Sequence, residues 1–119
     1  MAVAELGVVV LDCPDPRALA GFYAEVLGGT VEGDGEWVDL KVPGGRSLAF
    51  QAAPGYTPPR WPSSEHSQQF HLDLTVEDMD AAEKEVLALG AKALDTADRS
   101  RAWRVYADPA GHPFCLCAC

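Results

Sequence analysis

A chain of 119 residues, 48% hydrophobic and 23% charged, has the length and composition of one compact domain, which excludes two independent domains and intrinsic disorder. Nine Lys and Arg against 18 Asp and Glu leave a net charge of −9 with no basic stripe, so nucleic acid is not an expected partner. The acidic balance favours solubility and would steer a cationic ligand toward the surface.

The opening segment MAVAELGVVVLDCPD lacks a basic region, and its apolar run is far shorter than a signal core or the roughly 20 residues of a spanning helix. A cytoplasmic location with no membrane partner is expected. Cys13 stands alone while Cys115, Cys117 and Cys119 crowd the end of the sequence, unlike a secreted disulfide framework, so free thiols in a reducing compartment are expected.

Residues 6–12, LGVVVLD, read as a strand rich in β-branched residues. Asp15 then supplies an N-cap, Pro16 suits the first helical position, and Leu19, Phe22, Tyr23, Val26 and Leu27 recur at helical spacing until Gly28 and Gly29 stop the helix. From Thr30 to Ala52 the pattern becomes a β-meander, TVEG, EWVDLKV and RSLAFQA, with turns at Asp34-Gly35 and Pro43-Gly44-Gly45. Alternation in the second of these strands puts Val38, Leu40 and Val42 on one face and Trp37, Asp39 and Lys41 on the other.

Residues 53–68 hold four prolines and no periodicity, which marks a connector. Within it Trp61 is expected to anchor the loop, Tyr56 and Arg60 are candidates for a lid, and His66 reads as a solvated loop residue. A second strand, QFHLDLTV, follows, with Leu72, Leu74 and Val76 on one face and His71, Asp73 and Thr75 on the other. Asp78 caps a helix whose stripe is Met79, Ala82, Val86 and Leu89, Gly90 ends it, and strands follow at AKALDT, RAWRVYA and PFCLCAC. Asp108 to Gly111 form the turn before the last strand, where Asp108 and His112 read as turn-stabilising residues.

The sequence thus runs twice through strand, Asp-capped helix, glycine stop and three-stranded meander. One domain over residues 1–119 is expected, with unit one at about 5–53, a connector at about 54–68 and unit two at about 69–119. Neither unit alone buries a sheet comfortably, so the units are expected to share a core or pair with another chain.

This double βαβββ pattern, with its Leu-Asp-x-Pro-Asp-Pro turn, the Phe22-Tyr23 pair and the Asp-Pro-x-Gly-His-Pro-Phe run, resembles the vicinal oxygen chelate superfamily of glyoxalases, bleomycin-resistance proteins and dioxygenases, and most of all its small glyoxalase-like domain proteins. The resemblance implies an α+β fold in which curled mixed sheets surround a cavity. It places metal-ligand positions at Val8 and near Ala49, with Gln51 two residues on, in unit one, and at His71 and Cys115 in unit two. Val8 and Ala49 carry no donor, so metal-independent binding of a small cationic or aromatic molecule is expected, with no cofactor. A homodimer is also implied.

His71, Gln51, Cys115, Trp37, Trp103 and Asp73 are the candidate ligand-binding residues, and no residue is assigned a catalytic role. His71 has two readings: a structural partner for Asp73, or a ligand contact on the face away from the helices. Trp37 and Trp103 offer aromatic walls or, alternatively, packing surfaces. Cys115, Cys117 and Cys119 lie at alternate strand positions roughly 6.5–7 Å apart, too far for a straight strand to chelate zinc with them. Two alternatives stand beside the binding protein. One is a metal-dependent lyase, isomerase or dioxygenase using His71, Gln51 and Cys115; the other is an interaction module with a vestigial cavity.

Overall fold

The computed structural model describes residues 2, 6–60 and 71–118, the side chain of Arg46 excepted. Trp61, His66, Cys119 and the expected strand start at Gln69 and Phe70 lie outside the described residues. The chain divides into two compact units, Met1–Tyr56 and Thr57–Cys119.

Unit one contains β1 (Val9–Cys13), α1 (Pro16–Leu27), β2 (Thr30–Glu32), β3 (Trp37–Val42) and β4 (Arg46–Ala52). Its sheet has the order β1-β4-β3-β2, with β1 parallel to β4 and the other pairs antiparallel. Unit two repeats the scheme with β5 (Leu72–Thr75), α2 (Met79–Ala88), β6 (Lys92–Asp95), β7 (Trp103–Ala107) and β8 (Pro113–Cys117) in the order β5-β8-β7-β6. The fold is therefore α+β with two four-stranded mixed sheets. A parallel β1-β4 pair requires a crossover, which the helix and the two intervening strands provide.

The helices form where the sequence places their caps. The Asp15 carboxylate accepts from the Ala18 amide at 3.2 Å, and that of Asp78 accepts from the Ala81 amide at 3.1 Å, each satisfying an orphan donor of a first turn. Gly28 and Gly29 follow α1 with φ of 76° and 114°. At Gly29 a side chain is excluded outright, because a Cβ would run into the carbonyl of Lys41.

In unit one, α1 lies on β3 and β4 and buries Leu19, Phe22 and Tyr23. Tyr23 stacks on Phe50 of β4 with centroids 5.8 Å apart, and Val38, Leu40 and Leu48 complete that face. Each such fully buried side chain contributes roughly 1.5–3 kcal/mol relative to exposure. Unit two has the same aromatic arrangement in another guise, with Tyr106 stacked on Phe114 at 5.6 Å. Helix α2 is the poorer packer: Val86 alone among its residues is fully buried, and Leu89, expected on its apolar stripe, is exposed because it sits at the C-cap beyond the last full turn.

Strand ends move inward from their expected positions. The first strand begins at Val9 rather than Leu6, which is 88% exposed and has no strand partner. β5 begins at Leu72, because its partner β8 begins to pair only at Phe114.

Candidate functional site

The register of the second sheet sets out one face. Asp73 on β5 is level with Cys115 on β8, Cys115 with Val105 on β7, and Val105 with Asp95 on β6. Trp103 is level with Cys117 in the next row. Phe114, Leu116 and Tyr106 alternate onto the opposite face with the apolar residues of β5, so the chemistry-bearing side chains share the face turned away from α2.

On that face His71 Nε2 lies 3.1 Å from Asp73 Oδ1, the side chains being 28% and 63% exposed. Cys115 completes the cluster. Its Sγ, an Asp73 carboxylate oxygen and a His71 ring nitrogen all lie within 4.8 Å of one another. Burial pushes the Cys115 thiol up to about 11, and the neighbouring Asp73 carboxylate reinforces the shift by charge and by accepting the thiol's hydrogen bond. A thiol held protonated in this way is a hydrogen-bond donor, not a nucleophile.

Beside this cluster Trp103 is joined by two residues that the sequence reading did not single out, Arg101 and Asp95. The Arg101 guanidinium grips Asp95, with Nη2 3.0 Å from Oδ1, Nη1 3.3 Å from Oδ2 and Nη2 3.1 Å from the Asp95 carbonyl oxygen. Its carbon lies 4.9 Å from the centroid of the Trp103 ring, a cation–π contact. Trp103 is nevertheless 44% exposed.

The face toward α2 holds a further polar network. Arg104 is buried and ion-paired with Asp80 at 3.0 Å, while the Glu83 carboxylate accepts from the Tyr106 hydroxyl at 2.8 Å and from Arg99 at 3.1 Å. Burial and the Glu83 charge raise the Tyr106 phenol well above its ordinary value. These contacts pin α2 to β7 where apolar packing is thin.

In unit one Trp37 is level with Gln51, and both are exposed. The indole Nε1 of Trp37 donates to Asp39 Oδ1 at 3.2 Å, so this tryptophan is oriented by its own strand. Val10 is level with Ala49, the unit-one counterparts of Asp73 and Cys115. The buried Asp108 carboxylate accepts from the Ala110 and His112 amides at 2.9 and 3.0 Å, a turn-building role. Cys13 and Cys115 are buried thiols outside any disulfide, whereas Cys117 is disulfide-bonded, which corrects the expectation of a free thiol at that position.

A family profile described as a glyoxalase-like domain matches residues 8–117. The chain belongs to the glyoxalase-like domain family. Solved structures agree on the fold. The glyoxalase-like chain is similar to a protein of Agrobacterium tumefaciens (TM-score 0.74, 19% identity, 98% of each chain covered). It is also similar to a glyoxalase/bleomycin resistance protein/dioxygenase family enzyme of Burkholderia phytofirmans (TM-score 0.73, 18% identity, 95% of this chain and 97% of that one). A third similar structure is the fosfomycin resistance protein FosX of Listeria monocytogenes, in complex with Mn(II) and a dihydroxypropylphosphonic acid (TM-score 0.71, 12% identity, 98% and 93% covered). Comparison with curated protein sequences gives no match.

Against the metal positions of the wider superfamily, the glyoxalase-like chain is lopsided. Unit one offers apolar Val8 and Ala49, whereas unit two brings together imidazole, carboxylate and thiol. That donor set suits a borderline-soft ion such as zinc better than manganese, with three protein ligands leaving a fourth position open. The thiol proton would have to be displaced on binding.

Proposed function

We propose that this glyoxalase-like protein binds a small organic molecule, cationic or aromatic, on the face of its second sheet turned away from α2, without a metal. The observation that carries the reading is Trp103, a large apolar ring left 44% exposed beside a polar cluster whose own hydrogen bonds are already organised. A ligand stacked there gains aromatic contact, while His71 and Asp73 supply polar contacts that orient it. Trp37 and Gln51 form a comparable exposed pair in unit one. Residence in the cytoplasm and assembly as a homodimer belong to the same proposal.

The second reading is a divalent metal held by His71, Asp73 and Cys115, supported by the mutual approach of their donor atoms within 4.8 Å. Elemental analysis and native mass spectrometry of protein purified without chelator or affinity metal separate the two. A metal-free protein whose Trp103 indole signal shifts with an aromatic probe, and whose His71→Ala variant folds but binds the probe less tightly, supports ligand binding. A stoichiometric metal that is lost in His71→Ala and Cys115→Ser overturns it in favour of the metal reading.

A further inference from the structure

The two units carry a tryptophan and a carboxylate at the same register, and in unit two the chain supplies the cation that lies between them. Trp103 opens β7, and two residues on Val105 is level with Asp95 of β6; Trp37 opens β3, and two residues on Asp39 is level with Glu32 of β2. Trp37 and Trp103 are therefore equivalent positions of the repeat, as are Glu32 and Asp95. Both rings are open to a similar extent, 42% and 44% exposed. In unit two the Arg101 guanidinium lies 4.9 Å from the Trp103 centroid while Asp95 holds Nη1 and Nη2, so ring and carboxylate together seat a planar cation. The position equivalent to Arg101, two residues before the tryptophan, is Gly35 in unit one, where an added Cβ would meet nothing within 4 Å.

The surroundings of Trp37 favour a cation from outside the chain. Residues 33–36, Gly-Asp-Gly-Glu, stand where unit two has the connection 96–102 with its two arginines, so unit one brings carboxylates where unit two brings guanidinium groups. Val38 and Leu40 are fully buried on the α1 side, which turns Trp37 and Asp39 to the other face. There Asp39 Oδ1 accepts from the Trp37 indole at 3.2 Å and draws the ring toward the Asp39–Glu32 row. Two basic residues flank this row without stacking on the ring: Arg17 donates to the Gly33 carbonyl at 2.6 Å, and Lys41 is level with Thr30 in the next row. Among the described residues Trp37 has no cation–π contact and Glu32 no ion pair. We propose that Trp37, Glu32 and Asp39 bind a small alkylguanidinium, its plane stacked on the indole and its N–H edge turned to the Glu32 carboxylate, as Trp103 and Asp95 hold Arg101. A guanidinium is preferred to an ammonium because its plane matches the ring and its fork matches the carboxylate. The site belongs to unit one alone, so it and the second-sheet reading above can each fail without the other.

Butylguanidinium, butylammonium and neutral butylurea, titrated against the full chain, test the site. The indole N–H resonances of Trp37 and Trp103, assigned through Trp37→Phe and Trp103→Phe, report where each probe binds. Butylguanidinium is expected to shift the Trp37 indole saturably, with butylammonium about threefold weaker and butylurea without effect. The Trp103 indole should stay in place, because Arg101 already stacks on it. Glu32→Gln should weaken butylguanidinium about threefold while leaving the spectrum of the free protein folded. In Arg101→Gln the Trp103 indole should begin to respond to butylguanidinium, the probe taking the place of the lost side chain, and an unchanged Trp37 response shows that unit one is intact. A Trp37 indole that does not move, equal binding of the three probes, or a Glu32→Gln variant that binds butylguanidinium as tightly as the wild type would overturn the site. Wild-type indoles that move together, or a Trp103 indole that stays unresponsive in Arg101→Gln, would overturn the equivalence on which it rests.

Discussion

Replacing Asp73 by Asn is expected to make Cys115 more reactive. The thiol is 3% exposed and pushed from an ordinary value of 9.0 up to about 11, first by burial and then by the charge and hydrogen bond of Asp73. At pH 8 an ordinary thiol is about 9% thiolate and one at 11 about 0.1%, so ionisation alone slows alkylation roughly 90-fold. Asp73→Asn removes the charge but not the burial. The midpoint of the alkylation profile should therefore fall below that of the wild type yet stay above 9.0. Iodoacetamide labelling between pH 7 and 11.5, followed by peptide mass spectrometry to separate Cys115 from Cys13, measures both midpoints. A wild-type midpoint at or below 9, or a midpoint that Asp73→Asn leaves unchanged or raises, would refute the proposed environment of the thiol.

The same shift bears on stability. Between pH 9 and 11 the unfolded chain loses the Cys115 proton and the folded chain keeps it, so about 2–3 kcal/mol present below pH 9 is lost as pH rises through 11. Denaturant titrations should show the difference between wild type and Cys115→Ser narrowing across that window, with Tyr106 contributing equally to both. Asp108→Ala leaves the Ala110 and His112 amides without their acceptor and should cost about 2 kcal/mol in urea unfolding. Gly29→Ala combines a φ of 114° with a collision at the Lys41 carbonyl, and a loss of at least about 2 kcal/mol is expected; unchanged stability would show the approach to be looser than described. Phe50→Ala removes the ring on which Tyr23 stacks and should cost about 3–5 kcal/mol, whereas Phe50→Leu should cost much less.

Much of the site was visible in the alternation of a few strands. The order Leu72, Leu74 against His71, Asp73 places the latter pair on one face wherever the strand is buried on the other, and the structure adds the 3.1 Å contact between them. Cys115 joins them because a parallel pairing of β5 with β8 aligns it with Asp73, a register that no local pattern encodes. The Arg101 group was hidden for a definite reason. Arg101 lies in an irregular connection, and the register of β6 shifts between Ala93 and Asp95, so period-two counting cannot say which way Asp95 points. Glu83 was hidden in a different way. It lies at helical spacing from Val86 on the buried side of α2, but a charged residue is not counted in an apolar stripe, and its partners Arg104 and Tyr106 come from β7.

By itself the sequence determined the repeated order of strand, capped helix and meander, because caps, glycine stops and apolar periodicity are local properties of a few adjacent residues. Its resemblance to the vicinal oxygen chelate superfamily also pointed to the α+β fold with mixed sheets, whereas the parallel pairing of β1 with β4 and of β5 with β8 came from the structure. Tertiary structure alone decided the level at which strands pair, and with it the grouping of His71 with Cys115 and of Asp95 with Arg101 and Trp103. Those groupings depend on contacts between residues far apart in the chain, whose charges and ring faces acquire a chemical meaning only when burial and neighbours are fixed together.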